Sequence, residues 1–450
     1  MRRKILFLFP QEWDSTGISA LGDEFEFVFE GFDIFRFPEN ARLLWFNARK
    51  YIDRLARRYA KENLAGVMST NEQYGALIAA ALAQKLGLPG TDPAAIIRAQ
   101  HKYYARQIHR LAVPEATPDF TVFPYKVPDP NNVGIPYPFF VKPVKAAHSV
   151  LARRVDSPEE LIQHLTFHPW EKYIIKRLVR PFNDLMPLYT DFELNSEHLI
   201  GEALITGRHQ VTVDGYAENG EIRILGVVDS VMYPGTQAFQ RFEYPSLLPD
   251  AVQQRMSDIA IRALHALSFD HGSFNVEMVW DDVHDRIQII EVNPRLAAQF
   301  GDLYEKVDGI NSYRVLLDLT VGRSPQTHFD TAKPQGQVGA AAKPRGQFGA
   351  AASFVFREFI GATKIAPSGA EIAWLGHHYP DALLHTYIKE GNSRWREVKW
   401  LGSYRYAVLN MGGRDHHDLL ARHDHVCRNI TFENSERIDL SATIAEARPK

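Results

Sequence analysis

Cysteine is nearly absent from this 450-residue chain, with Cys427 standing alone. A single thiol forms no internal disulfide and offers no thiolate metal site, which excludes a disulfide-stapled scaffold and fits a reducing compartment, the cytoplasm in the simplest case. Long apolar runs are missing too. Residues 1–10 imitate the charged start of a signal peptide, but their apolar part is short and ends at Pro10, so they are predicted to form the first β-strand. The stretch 76–83 is alanine-rich and far too short to cross a bilayer, so no transmembrane helix is expected. Nor is there an excess of one charge. Lys and Arg number 51 against 54 Asp and Glu, a formal charge of −3, so no broad polyanion-binding surface is implied and neither nucleic acid nor a membrane is an expected partner.

What is present is length for several cores and a readable order of elements. Strand candidates at 5–9, 25–29 and 64–69 alternate with helical spacing at 41–59 and 72–85, which predicts a parallel α/β unit. Ligands of such sheets bind beyond the carboxyl ends of the strands, which puts Ser69, Thr70, Asn71 and Glu72 at a substrate mouth, although helix capping is the favoured reading of Ser69 to Asn71. Asp92 and Pro93 read as the N-cap and first position of a helix on which Lys102 and Arg106 sit one turn apart. Residues 138–142 form a short apolar strand ending in Lys142. The segment after it, with Ala146, Ala147, His148 and Ser149, has no glycine to let backbone N–H groups approach a phosphate. A helix is expected near 158–165, whereas 177–195 carries no assignable signal. Strands follow at 211–213 and 222–228, then a loop over 233–249 with Arg241 and Glu243 that could close over a substrate, and a helix over 251–267. Residues 332–341 and 342–351 are near-perfect copies, rich in Gly, Pro, Ala and Gln, and predict a flexible linker. Strands beyond it suggest a compact module. His416, His417, His423 and His425 share an amphipathic helix, with Leu419, Leu420 and Val426 inward and the histidines solvated.

The richest chemistry lies in Ile289-Ile290-Glu291-Val292-Asn293-Pro294-Arg295. Side chains two apart on a strand share a face, so Glu291 and Asn293 converge on one hard cation. Residues 273–280 read as the other arm of a hairpin turned by Asp281, Asp282 and Asp285, which brings Glu277 beside Glu291. Two carboxylates, an amide oxygen and a guanidinium suit Mg²⁺ held against nucleotide phosphates; a solvated hairpin edge with ordinary ion pairs remains the alternative on these residues alone.

With Lys102, Arg106, Lys142 and the stretch 199–215 in the same order, this pattern resembles the ATP-grasp superfamily, in particular its carboxylate-amine ligases and biotin carboxylase. The resemblance implies an α/β chain, α+β in the ATP-grasp part: a parallel-sheet pre-ATP-grasp domain at 1–113, a lid at 114–205, a core with the metal hairpin at 206–328, the linker at 329–352 and a C-terminal α+β module at 353–450. It implies ATP with Mg²⁺ or Mn²⁺ as cofactors, metal ligands Glu277, Glu291 and Asn293, and phosphate contacts from Lys102 and Lys142 with Ser149 in the closing loop. Glu202 would meet the adenine or ribose and Ile205 would supply apolar contact; His209 would lie near the ribose, or be an ordinary surface histidine. Arg295 would be catalytic, with Glu72 and Arg241 as substrate residues. The implied activity is ADP-forming ligation of a carboxylate to an amine through an acyl phosphate. The partners are then small acids and amines, and the family often forms homodimers. The alternatives are a biotin-dependent carboxylase-like subunit, against which Leu296-Ala297-Ala298 follows Arg295, and an inactive nucleotide-binding sensor or partner protein.

Overall fold

The computed structural model describes residues 2–19, 21–33, 39–146, 151–325, 346–360, 362–388, 398 and 402–432. The chain opens with β1 (Arg3–Leu8), α1 (Glu12–Ser19), β2 (Phe25–Glu30), α2 (Ala48–Tyr59), β3 (Leu64–Met68) and α3 (Gly75–Leu86). Its strands form the parallel sheet β2-β1-β3. The helical spacing over 41–59 resolves into a 3₁₀ turn, Glu39–Trp45, and α2, because Asn47 caps α2 by accepting from Lys50 N at 2.9 Å. Likewise α3 starts three residues later than its pattern suggests: Asn71 Oδ1 accepts from the N–H groups of Tyr74 and Gly75 at 3.3 and 3.1 Å.

The helix expected from Asp92 through Arg106 is two helices, α4 (Pro93–Gln100) and α5 (Lys102–Ala112). His101 breaks them with extended φ/ψ of −86° and 90°, its ring buried and bonded to Leu194 O at 3.0 Å. A four-stranded antiparallel sheet follows, built from β4 (Phe120–Pro124), β5 (Phe139–Pro143), β6 (Arg153–Val155) and β7 (His198–Ala203) in the order β4-β7-β5-β6. Between β6 and β7 lie α6 (Pro158–His164) and α7 (Pro169–Tyr189), a helix that accounts for much of the unassigned 177–195 stretch. Pro181 and Pro187 inside α7 disguise it. Its second half leaves the small sheet, and Phe182, Leu185 and Met186 join the N-terminal core with Leu77, Tyr51 and Leu55.

The rest centres on an eight-stranded sheet containing β8 (His209–Glu218), β9 (Glu221–Met232), β10 (Phe239–Tyr244), β11 (Gly272–Asp281), β12 (Arg286–Asn293), β13 (Ala350–Glu358), β14 (Leu383–Thr386) and β15 (Tyr404–Gly413). Its order is β12-β11-β8-β9-β10-β13-β15-β14. One face packs on α8 (Asp250–Ala266) through Val211, Val213, Val276, Met278, Ile287, Ile289, Met256 and Ala260. The other packs on α9 (Gly301–Asp308) through Val228, Phe242, Tyr244, Leu303 and Tyr304.

Several expectations change here. Residues 239–244 are a strand, not loop, because β10 finds a partner, β13, far along the chain. The C-terminal strands therefore continue the large sheet instead of forming a sheet of their own. The second repeat copy ends inside β13, where Ala350 and Ala351 are fully buried and their small side chains allow close packing; most of 332–351 lies outside the described residues. On the helix His416–Asn429, Leu420 is exposed, while His423 is not solvated: its ring stacks on Phe354 with centroids 3.8 Å apart.

Candidate functional site

The hairpin β11–β12 pairs Asn275 with Asn293 and Glu277 with Glu291, then slips register so that Met278 faces Ile289. Ile290 is thus an extra residue on β12, a β-bulge of the kind that re-aims side chains. The slip has a chemical purpose. With strict alternation Ile289 and Glu291 would share a face; the bulge lets Ile287 and Ile289 pack in the α8 core while Glu291 turns to the opposite face beside Glu277. It also frees backbone carbonyls. Ile289 O and Ile290 O accept from Arg106 Nη2 at 2.9 and 2.7 Å, and Ile290 O accepts from Lys142 Nζ at 3.4 Å.

Three lysines and two arginines gather around this hairpin, from α5, from β5 and the residues just after it, and from the hairpin's own end. Lys102, the first residue of α5, reaches Glu291 at 3.2 Å, and its backbone N–H donates to Val144 O at 3.1 Å, tying α5 to the end of β5. Lys142 on β5 and Arg106 on α5 hold the two oxygens of Glu202 on β7 at 2.8 and 2.7 Å. Lys145 donates to Glu72 O at 3.2 Å. Arg295 Nη2 bonds Glu72 Oε2 at 2.6 Å, linking the end of the core hairpin to the mouth of the N-terminal sheet. Below the carboxylates, Asn293 Nδ2 donates to Asn275 Oδ1 at 2.9 Å and Glu277 Oε1 at 3.2 Å, which orients both amide groups.

Burial and crowding decide the charges. Glu277 has its pKa raised, first by burial and then by the neighbouring carboxylates Glu291 and Glu72. Burial also lifts Asp214, which accepts from Tyr304 Oη at 2.7 Å, to about 7. Burial lowers Lys142 despite Glu202 and brings Lys145 down to about 7. For Lys102 burial works downward, but Glu291 and Glu72 outweigh it and the pKa rises. Glu202 is driven to about 2, since the adjacent Arg106 and Lys142 overcome a large burial effect.

A cation fits this donor set. Glu277 and Glu291 face each other across the ladder with the oxygen of Asn293 on the same face, and a divalent ion would offset the burial and the repulsion that hold Glu277 towards its neutral form. Among the described residues no three of His, Cys, Asp and Glu gather into a group that could hold a metal ion by themselves.

The structure brings Lys102, Lys142, Glu202, Glu277, Glu291, Asn293, Arg295 and Glu72 together through the contacts above. Ser149 lies outside the described residues. Ile205 sits in the connection between β7 and β8, where Gly207 takes φ of +123° and a Cβ would come within 2.8 Å of Trp280 O. His209 is at the edge, against Trp280 and 3.6 Å from Asp282, and its strand position alternates away from the face of Glu277. Arg241 is not part of the site. It pairs in register with Val231 and Phe354, on the sheet face away from Glu277, and binds Glu243 at 2.7 Å; reading its segment as a mobile loop hid this alternation. Sequence reasoning missed Lys145, Asn275 and Asp214. The alternation Thr212, Asp214 among apolar residues of β8 was a usable signal for Asp214; nothing local distinguishes Lys145.

The family model described as the ATP-grasp domain matches residues 135–302. A search among curated proteins returns no match. The fold is similar to that of L-amino acid ligase from Bacillus licheniformis, with a TM-score of 0.69 at 14% identity over 96% of this chain and 99% of that one. An N5-carboxyaminoimidazole synthase from Aspergillus clavatus, solved with ADP and its ribonucleotide, gives 0.60 at 15% identity over 94% and 98%. The biotin carboxylase domain dimer of Hydrogenobacter thermophilus 2-oxoglutarate carboxylase, solved with MgADP and bicarbonate, gives 0.62 at 13% identity over 96% and 91%.

Proposed function

Since this chain carries an ATP-grasp domain on the fold of the ATP-grasp ligases, we propose that it is an ADP-forming ligase that joins a carboxylic acid, an amino acid or small organic acid, to an amine through an acyl phosphate. The observation that carries this reading is the Glu277–Glu291 pair with Asn293, ringed by Lys102, Lys142 and Arg295. A carboxylate has no good leaving group. Moving the γ-phosphoryl of ATP onto it creates one, and positioning with charge neutralisation accounts for most of that catalysis.

In this reading the connection 204–208 meets the adenine, and Glu202 keeps Arg106 and Lys142 in place beneath it. Lys102 and Lys142 offset phosphate charge. Glu277, Glu291 and Asn293 would hold Mg²⁺ or Mn²⁺, which would supply positive charge to neutralise the transferring phosphoryl group. The acid's oxygen attacks the γ-phosphorus and ADP leaves; the amine then attacks the acyl carbon and phosphate leaves. Arg295, oriented by Glu72, faces the charge that develops on the acyl group. The boundaries at 113 and 205 made from the sequence, with 114–205 as the lid, and a cytoplasmic homodimer complete the proposal; the separate C-terminal module is not kept, since β13, β14 and β15 continue the large sheet. Among the described residues no helix is long and apolar enough to cross a membrane. Phosphate release measured over a matrix of acids and amines tests it: ADP should form only when both partners are present, and AMP as the nucleotide product would overturn the mechanism.

A further inference from the structure

Of the three lysines at this site, Lys102 and Lys142 have carboxylate partners at 3.2 and 2.8 Å, and both reach the metal hairpin or its carbonyls. Lys145 differs. It is 2% exposed, yet among the described residues its ammonium makes no ion pair; it donates to the neutral Glu72 carbonyl and lies 5.7 Å from the centre of the Phe182 ring. A buried cation with three donors and a single neutral acceptor is costly unless an anion completes it.

We propose that Lys145 receives the carboxylate of the acid substrate, between its own ammonium and the guanidinium of Arg295. This rests on the ligase reading above. Both cations are fixed by one residue at the mouth of the parallel sheet, Glu72, whose carbonyl takes Lys145 and whose carboxylate takes Arg295 at 2.6 Å. Their common neighbourhood is therefore the substrate mouth, whereas Lys102 and Lys142 mark the phosphate side. The Phe182 ring of α7 lies on the core side of this ammonium, which gives a role to the helix segment that no sequence signal explained. An incoming carboxylate also restores full charge to an ammonium that burial has brought down to about 7.

The test uses hydroxylamine as a universal amine. The full-length protein with MgATP is screened for hydroxamate formation over the common L-amino acids and short organic acids, and the best acid becomes the probe. In Lys145→Met, which keeps an unbranched apolar stem and removes the ammonium, the KM for that acid should rise about 10- to 100-fold, the effect of losing a charge-assisted hydrogen bond. The affinity for a non-hydrolysable MgATP analogue, measured by calorimetry, should stay within about threefold, and Lys145→Arg should recover part of the loss. A parallel fall in nucleotide affinity would make Lys145 a phosphate ligand and overturn the assignment, as would an unchanged acid KM. If Lys145→Met does not fold, Lys145→Arg and Lys145→Gln carry the comparison, and equal acid KM values in the two overturn it. Absence of hydroxamate from the unmodified protein over the whole panel sinks the ligase reading itself, and this assignment with it.

Discussion

Replacing Glu202 by glutamine probes the electrostatic frame beneath the site. The side chain is 3% exposed and accepts from Arg106 and Lys142 at 2.7 and 2.8 Å, so the substitution preserves shape while leaving two buried cations without their anion. Removing one partner of such a buried group costs about 3–5 kcal/mol. The titration of Glu202 gives an independent figure: a carboxyl held near 2 instead of the ordinary 4.5 corresponds to roughly 3 kcal/mol. Because the folded-state pKa is depressed, this stabilisation is present above 4.5 and is lost as the pH falls towards about 2. Urea unfolding followed by circular dichroism should thus place Glu202→Gln about 3 kcal/mol below the parent protein at neutral pH, with the gap closing in acid. A neutral-pH difference below about 1 kcal/mol, the worth of an exposed pair, would refute the reasoning, and so would a gap independent of pH.

Two further outcomes follow from the same geometry. Glu291→Gln should lower MgATP turnover by about 100-fold or more and shift the Mg²⁺ dependence to higher concentration, read from ADP release across a metal titration; an unchanged metal dependence would remove Glu291 from the ligand set. Gly207→Val should weaken nucleotide-analogue binding by about tenfold and lower thermal stability, because a β-branched residue is strained at φ of +123° and would meet Trp280 O, whereas retained affinity would show that this connection does not shape the base pocket.

The hairpin was legible because its chemistry is local: Glu291 and Asn293 lie on alternate positions of β12, Arg295 follows two residues on, and Glu277 is one turn of chain away. Even the bulge left a trace, in the change of apolar phase from Ile287 and Ile289 to Val292. Contacts between distant segments left none. Glu72 and Arg295 are 223 positions apart, and Lys145 meets the same glutamate from a third element. Arg241 was misread because β10 owes its strand state to β13 and β9, so its alternation shows only after the sheet is assembled. In α7, two prolines obscured a helix whose second half is stabilised by burial in another subdomain's core.

The account stands or falls on phosphoryl transfer to a carboxylate oxygen. The acid that supports turnover, labelled with oxygen-18 in its carboxyl group, should deliver one labelled oxygen to each inorganic phosphate released, read by mass spectrometry. Unlabelled phosphate, with the lost oxygen found in AMP or in water, would contradict it.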